Sequence, residues 1–278
     1  MCIGALCLVC NDAIAKWLTA HYAPLQIVFM RNLFAAPMIL AVVLTFGGWT
    51  ALRTRHLRVH ALRGLLLVCG AWAFFLALRT LPLAEATALF FAAPIFITAL
   101  SVPLLGESVG WRRWTAVIVG FVGVLIIVRP GASAFQPASL LVVATASLYA
   151  LAMISTRWID RSEGIWTMMF YVVLFPMLFS GVAVSVQWQT PALSHLPIIA
   201  AQAVFGALGM TLISQSFRLA PAAIVAPFDY TALVWASLLG WLLWGEIPVI
   251  WTYAGAAVIV ASGIYIVFRE TMKRGGSD

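Results

Sequence analysis

Five ionisable side chains stand in stretches too apolar to solvate them: Asp12, Lys16, Arg31, Glu85 and Asp229. A charge inside a bilayer costs roughly 2.5–3.5 kcal/mol on insertion scales, so each is a candidate for function by default. Asp12 and Lys16 are four residues apart, on one helix face, where they can neutralise each other. The competing reading has Lys16 snorkel to the interface with Asp12 as its mate. Arg31 carries a planar fork that suits a carboxylate or phosphate, or Asp12 itself. Asp229 lies between Phe228 and Tyr230, just after Pro227. A carboxylate at that depth suits proton coupling, and its structural alternative is a hydrogen bond to a neighbouring helix around the Pro227 kink. Glu85, near the start of its helix, either joins that coupling set or complements the helix N-terminus electrostatically. Asp12, Lys16, Asp229 and Glu85 are thus the proton-coupling candidates.

Rings and amides give a second set. Trp72 and Trp235 fall well inside apolar segments, and with Phe90, Tyr149, Tyr171, Tyr230 and Gln215 they can line a cavity that offers stacking faces and a few polar anchors. Packing alone is the competing role for any one of them. Arg31, Trp72, Phe90, Tyr149, Gln215, Tyr230 and Trp235 are therefore the substrate-binding candidates. Metal and redox chemistry find no support. His21, His56, His60 and His195 lie in or beside loops without ligand spacing, and the CxxC of Cys7 and Cys10 has no second ligand pair. No catalytic residue, metal or cofactor is expected. No GxxxxGK[ST] segment offers an ATP site.

These residues sit in an extremely apolar chain. Of 278 residues 64% are hydrophobic and 9% charged, with a mean hydropathy of +1.05. Soluble chains are about half apolar and about a quarter charged. The net charge of +7 lies in short loops with no basic stripe on a soluble element, which argues against a nucleic-acid partner. Runs such as 116–128 are apolar on every face, as in helices, and lack the alternation of a barrel strand. A spanning helix needs roughly 20 apolar residues, so the length allows ten. They are expected near 2–20, 24–46, 60–79, 82–105, 112–129, 137–158, 164–186, 196–217, 221–244 and 249–268. Tryptophans 49, 111, 114, 158, 166, 188, 244 and 251 mark helix ends, as an interfacial belt requires.

The chain is duplicated. The 79–107 stretch returns at an offset of 139 as 218–246: Arg79 meets Arg218, Pro82 meets Pro221, Ala84 meets Ala223, Ala93 meets Ala232, and Gly106-Glu107 meets Gly245-Glu246. At offset 140 Trp111 meets Trp251 and Gly123 meets Gly263, and at 141 Lys16 meets Arg157. At that same offset Arg31 meets Val172, so this arginine is not needed to build a symmetric scaffold. The repeated Glu107 and Glu246, and Arg79 and Arg218, read as structural. Five helices per half is an odd number, so the second copy enters from the opposite side, as an inverted repeat. The expected fold is all-α and integral to the membrane, ten helices in two inverted five-helix repeats, 1–131 and 132–278. With both termini cytoplasmic, the inner side gathers Arg53, Arg55, Arg58, Arg63, Arg112, Arg113, Arg157, Arg161, Arg218, Arg269, Lys273 and Arg274. Only Lys16, Arg79 and Arg129 fall opposite, which follows the positive-inside bias.

The 79–131 stretch, with its Leu-Pro opening, Ala-rich helix, Pro94, Gly106-Glu107 and small-residue helix ending in Arg-Pro-Gly, resembles one EamA domain. The 218–268 stretch resembles a second, and Asn11-Asp12 to Trp17 with Phe29-Met30-Arg31-Asn32 also suits the drug/metabolite transporter superfamily. The resemblance implies a secondary transporter of the bacterial inner membrane that moves an amino acid, nucleoside or cofactor-like solute. Its partners are then that small molecule and the lipid bilayer, and a homodimer is left open. Two rivals from other classes are a membrane-embedded enzyme acting on lipid-linked substrates and a non-transporting membrane subunit.

Overall fold

The structure, a computed structural model, describes residues 1–106, 110–131, 135–159, 163–185, 188–219 and 225–274, with side chains described except at 112, 113, 217, 218, 226, 227 and 267–274. Glu107 and the side chains of Arg112, Arg113 and Arg218, named above, lie outside those residues.

Apolar segments bounded by Gly and Pro fold into helices α1 (Cys2–Leu18), α2 (Pro24–Phe46), α3 (Leu57–Ala77), α4 (Leu83–Phe90), α5 (Ala93–Leu105), α6 (Trp111–Val128), α7 (Ala138–Ile154), α8 (Ile165–Val184), α9 (Leu196–Leu219), α10 (Thr231–Trp244) and α11 (Ile250–Arg274). No strand occurs among the described residues. Helices α4 and α5 together make one span, Leu83–Leu105, so the ten expected spans account for the eleven helices among the described residues. Among the described residues six spans are long and apolar enough to cross a membrane by length and composition. Outer faces are apolar, as on α6, where Ile118, Val119, Phe121, Val122 and Leu125 are exposed. Trp49, Trp111, Trp158, Trp188 and Trp251 are exposed at helix ends, where a headgroup layer would meet them.

The duplication governs the packing. Helix α1 lies on α9, and its counterpart α7 lies on α3; α2 packs on α8, and α6 on α11. Exchanging the halves maps the first two contacts onto each other and the last two onto themselves, which is what a two-fold relation between repeats requires. The self-mapping α6–α11 seam is closed by glycine: a Cβ on Gly123 would sit 2.8 Å from Ile259 Cγ1 and 2.9 Å from Gly255 O. Backbones that approach this closely gain dispersion contacts where lipid supplies no hydrophobic drive. Gly106 and Gly245, equivalent in the duplication, end α5 and α10 in the left-handed conformation at φ +66° each.

Two spans differ from the continuous helices expected at 82–105 and 221–244. The first breaks at Phe91-Ala92, where Pro94 has no N–H to give to the carbonyl of Phe90. The second runs as a tight 3-10 segment, Ala226–Tyr230, before α10 starts at Thr231. At the repeat offset the start of α5, Ala93, corresponds to Ala232, one residue past the start of α10. Helix α4 is the centre of the molecule, with Leu83, Ala84, Glu85, Ala86, Thr87, Ala88 and Leu89 all buried.

Candidate functional site

Broken spans free backbone groups and turn side chains inward, and the expected ring residues gather here. Phe90 ends α4 and meets Tyr149 of α7 edge to face at 5.3 Å between centroids. Phe74 of α3 joins at 5.9 Å from Phe90, and Phe75 at 6.4 Å from Phe74. The Arg31 guanidinium stands over the Phe75 ring at 5.8 Å. At the second break Tyr230 meets Phe91 at 4.9 Å. Trp235 packs against the apolar core, and its buried indole Nε1 has no partner among the described residues. Arg31, Phe90 and Tyr149 thus share one row of rings, while Tyr230 stands against Phe91 and Trp235 packs on the wider apolar core.

Of the substrate-binding candidates, Trp72 and Gln215 turn away from these rings. Trp72 is 39% exposed on the outer face of α3. It precedes Phe74 by two residues, about 200° around the helix, so the inward turn of Phe74 sends Trp72 outward. Gln215 is exposed on α9.

The acids separate as well. Asp12 accepts from Asn11 Nδ2 at 2.9 Å and lies within electrostatic reach of Arg31, without a direct ion pair. The expected neutralisation of Asp12 by Lys16 is corrected here. Lys16 is paired instead with Glu246 of the second repeat, donates to Leu81 O at 2.8 Å and stands 5.1 Å over the Trp244 ring. The second oxygen of Glu246 accepts the N–H of Leu83, the first residue of α4, at 3.1 Å. The left-handed turn at Gly245 delivers this carboxylate, and a buried ammonium takes it in preference to a neighbour on its own helix. Snorkelling fails too, since the Lys16 side chain is only 8% exposed. Glu85 is buried in the first turn of α4, accepts from Ser139 Oγ at 3.4 Å and feels Arg129. Among the described residues Asp229 makes no side-chain hydrogen bond or ion pair, and it is in electrostatic range of Tyr149, Tyr230 and the Met1 ammonium.

Several polar residues escape a reading by depth alone. Asn11 Oδ1 is buried without a partner opposite Gly206 of α9, and Gln202, one turn along α9, is fully buried with both amide atoms unpartnered. Beside the α3 start, His60 Nε2 meets Glu163 Oε2 at 2.8 Å under the Tyr171 ring, 4.7 Å from the His60 ring. Tyr171 therefore serves this cluster and not the ring row. Thr54 and the Arg55 N–H also donate to Glu163. Burial alone would push the Glu163 carboxyl up, but these bonds outweigh it and hold the group below the usual carboxylate range. A folded-state value below the unfolded one adds stability above the unfolded pKa, and that stability is lost as pH falls through the folded one. Thermal unfolding in detergent should therefore show a stability loss on acidification below the ordinary glutamate range. Glu163→Gln should flatten it, and an unchanged acid profile in that variant would refute the assignment.

Comparison with known proteins follows the same organisation. The family model described as EamA-like transporter family matches residues 1–129 and again 136–269. An S-adenosylmethionine uptake transporter of Rickettsia bellii is 31% identical over 94% of this chain and 89% of its own. A riboflavin transporter of Vibrio cholerae is 33% identical over 91% and 88%, and the pseudopaline exporter CntI of Pseudomonas aeruginosa 27% over 91% and 89%. A solved crystal structure shares the fold at a TM-score of 0.64 and 20% identity, over 95% of both chains.

Proposed function

Because this chain belongs to the EamA-like transporter family, we propose that it is a secondary transporter of the bacterial inner membrane, working by alternating access on a small metabolite that joins a flat ring system to a charged group. Transport, and not enzymatic turnover, is the activity of its named relatives. The observation that carries the solute class is the row Phe75–Phe74–Phe90–Tyr149, with Arg31 at one end and Asp229 near the other. Rings along a path offer stacking faces, and an unpaired guanidinium offers bidentate hydrogen bonds to a carboxylate or phosphate. S-adenosylmethionine and riboflavin, named for two relatives, both contain fused heteroaromatic rings. The two breaks, at the interface of repeats 1–131 and 132–278, supply the place where one half can rock against the other. Both termini face the cytoplasm in this reading, with Asp229 and Asp12 as proton-coupling acids.

Proteoliposome flux in both directions tests it, with labelled S-adenosylmethionine, riboflavin, amino acids and nucleosides, with and without an imposed pH gradient. Saturable flux of a ring-bearing solute is expected. Asp229→Asn should abolish the enhancement by the gradient, and full gradient-driven flux in both Asp229→Asn and Asp12→Asn would end the coupling claim. Flux of ring-free solutes alone would overturn the solute class.

A further inference from the structure

Among the described residues no acid forms an ion pair with Arg63. It stands six residues beyond the start of α3, about 9 Å along the axis. Its Nε and Nη1 are buried and find no acceptor among the described residues. Arg79, by contrast, is exposed and still donates to Tyr22 O at 3.1 Å. An unpaired guanidinium within a span is costly, and such residues persist where something outside the chain completes them.

Its placement says what. Arg63, Gly70 and Phe74 are spaced seven and four apart, one face of α3, and that face meets α7, where Thr145 Oγ1 donates to Gly70 O at 3.1 Å. Tyr149, one turn along α7 from Thr145, is in electrostatic reach of both Arg63 and Asp229, while those two charges form no ion pair with each other. Arg63 therefore closes the far end of the ring row from Arg31, with the Tyr149 hydroxyl as a neighbouring donor. We propose that Arg63 is a second station on the solute path, receiving a carboxylate or phosphate of the transported molecule while its ring lies along Phe74, Phe90 and Tyr149. This rests on the transporter reading above and adds to it a second point of contact for an anionic group of the solute. A phospholipid headgroup carries the same chemistry, so the test separates the two.

The probe is inorganic phosphate, and in parallel acetate, titrated against chloride at equal ionic strength on the full chain in detergent, with unfolding followed by scanning fluorimetry. A bound anion at ten times its Kd should raise Tm by roughly 3 °C. Arg63→Gln should weaken the response at least tenfold, and should raise Tm in the absence of the probe by removing an unpaired charge. Arg63→Lys, which keeps the charge and loses the fork, should give an intermediate response. A structural arginine would do the reverse: Arg63→Gln would lower the probe-free Tm and leave the titration unchanged, overturning the proposal. A shift that depends on Arg63 only when phosphatidylglycerol is added, with none from phosphate or acetate, would assign the group to lipid and overturn it too. Wild-type flux is read separately, so loss of the anion response and loss of transport are distinct results.

Discussion

Replacing Glu246 by alanine should destabilise the folded protein by about 3 kcal/mol, the lower end of what is lost when one partner of a buried ion pair is removed. The lower end applies because the Glu246 side chain keeps 22% of its exposure whereas Lys16 keeps 8%. Truncation leaves the Lys16 ammonium with only Leu81 O and the Trp244 ring, and it strips the N–H of Leu83 of its acceptor at the first turn of α4. Three elements from two repeats come loose at once, since α1, the start of α4 and the end of α10 all meet at this carboxylate. Replacing both partners together, Lys16→Met with Glu246→Leu, removes the unpaired charge and should recover most of the loss, because a buried pair contributes little beyond an apolar pair of similar volume. Thermal unfolding of the two variants in detergent measures this. A Glu246→Ala variant within about 0.5 kcal/mol of the wild type would show that the pair is no more than a surface bridge.

That pair also marks where reading the sequence stops working. The spacing of Asp12 and Lys16 satisfies a local helix rule, but the actual partner is 230 residues away and reaches Lys16 only because two repeats fold onto each other. The aligned glycines at 106 and 245 share one left-handed conformation, and the main helix contacts survive exchange of the halves. The duplication did not foretell the breaks, because proline is tolerated in membrane helices and Pro94 alone does not separate a bend from an interruption. Depth in a helix proved a poor guide to facing. Trp72 is as deep as Phe74 yet points out. Arg63 counts among the inner-side charges, three residues past an expected helix start at 60; the chain becomes helical at Leu57, which sets Arg63 six residues along α3 with Nε and Nη1 buried. A face of α3 running through 63, 70 and 74 was the available signal. Buried amides such as Gln202 give no such signal, since glutamine is common at exposed positions and only packing shows it enclosed.

Arg31→Ala is expected to lower the kcat/KM of solute flux about a hundredfold. Truncating one side of a buried charged contact costs about 2–5 kcal/mol, and each 1.4 kcal/mol is tenfold. Arg31 leans on Phe75 and senses Asp12 without bonding to it, so its fork is free for a ligand. Two roles are open to such a group, and variants part them. If Arg31 only balances Asp12, then Asp12→Asn with Arg31→Gln removes both charges and restores flux. If it grips the solute, the double variant stays impaired, Arg31→Lys falls between, and the loss appears in KM more than in kcat. The geometry favours the second outcome: a balancing arginine would close on its carboxylate, as Lys16 closes on Glu246, whereas Arg31 is held back by the Phe75 ring and leaves Asp12 to Asn11.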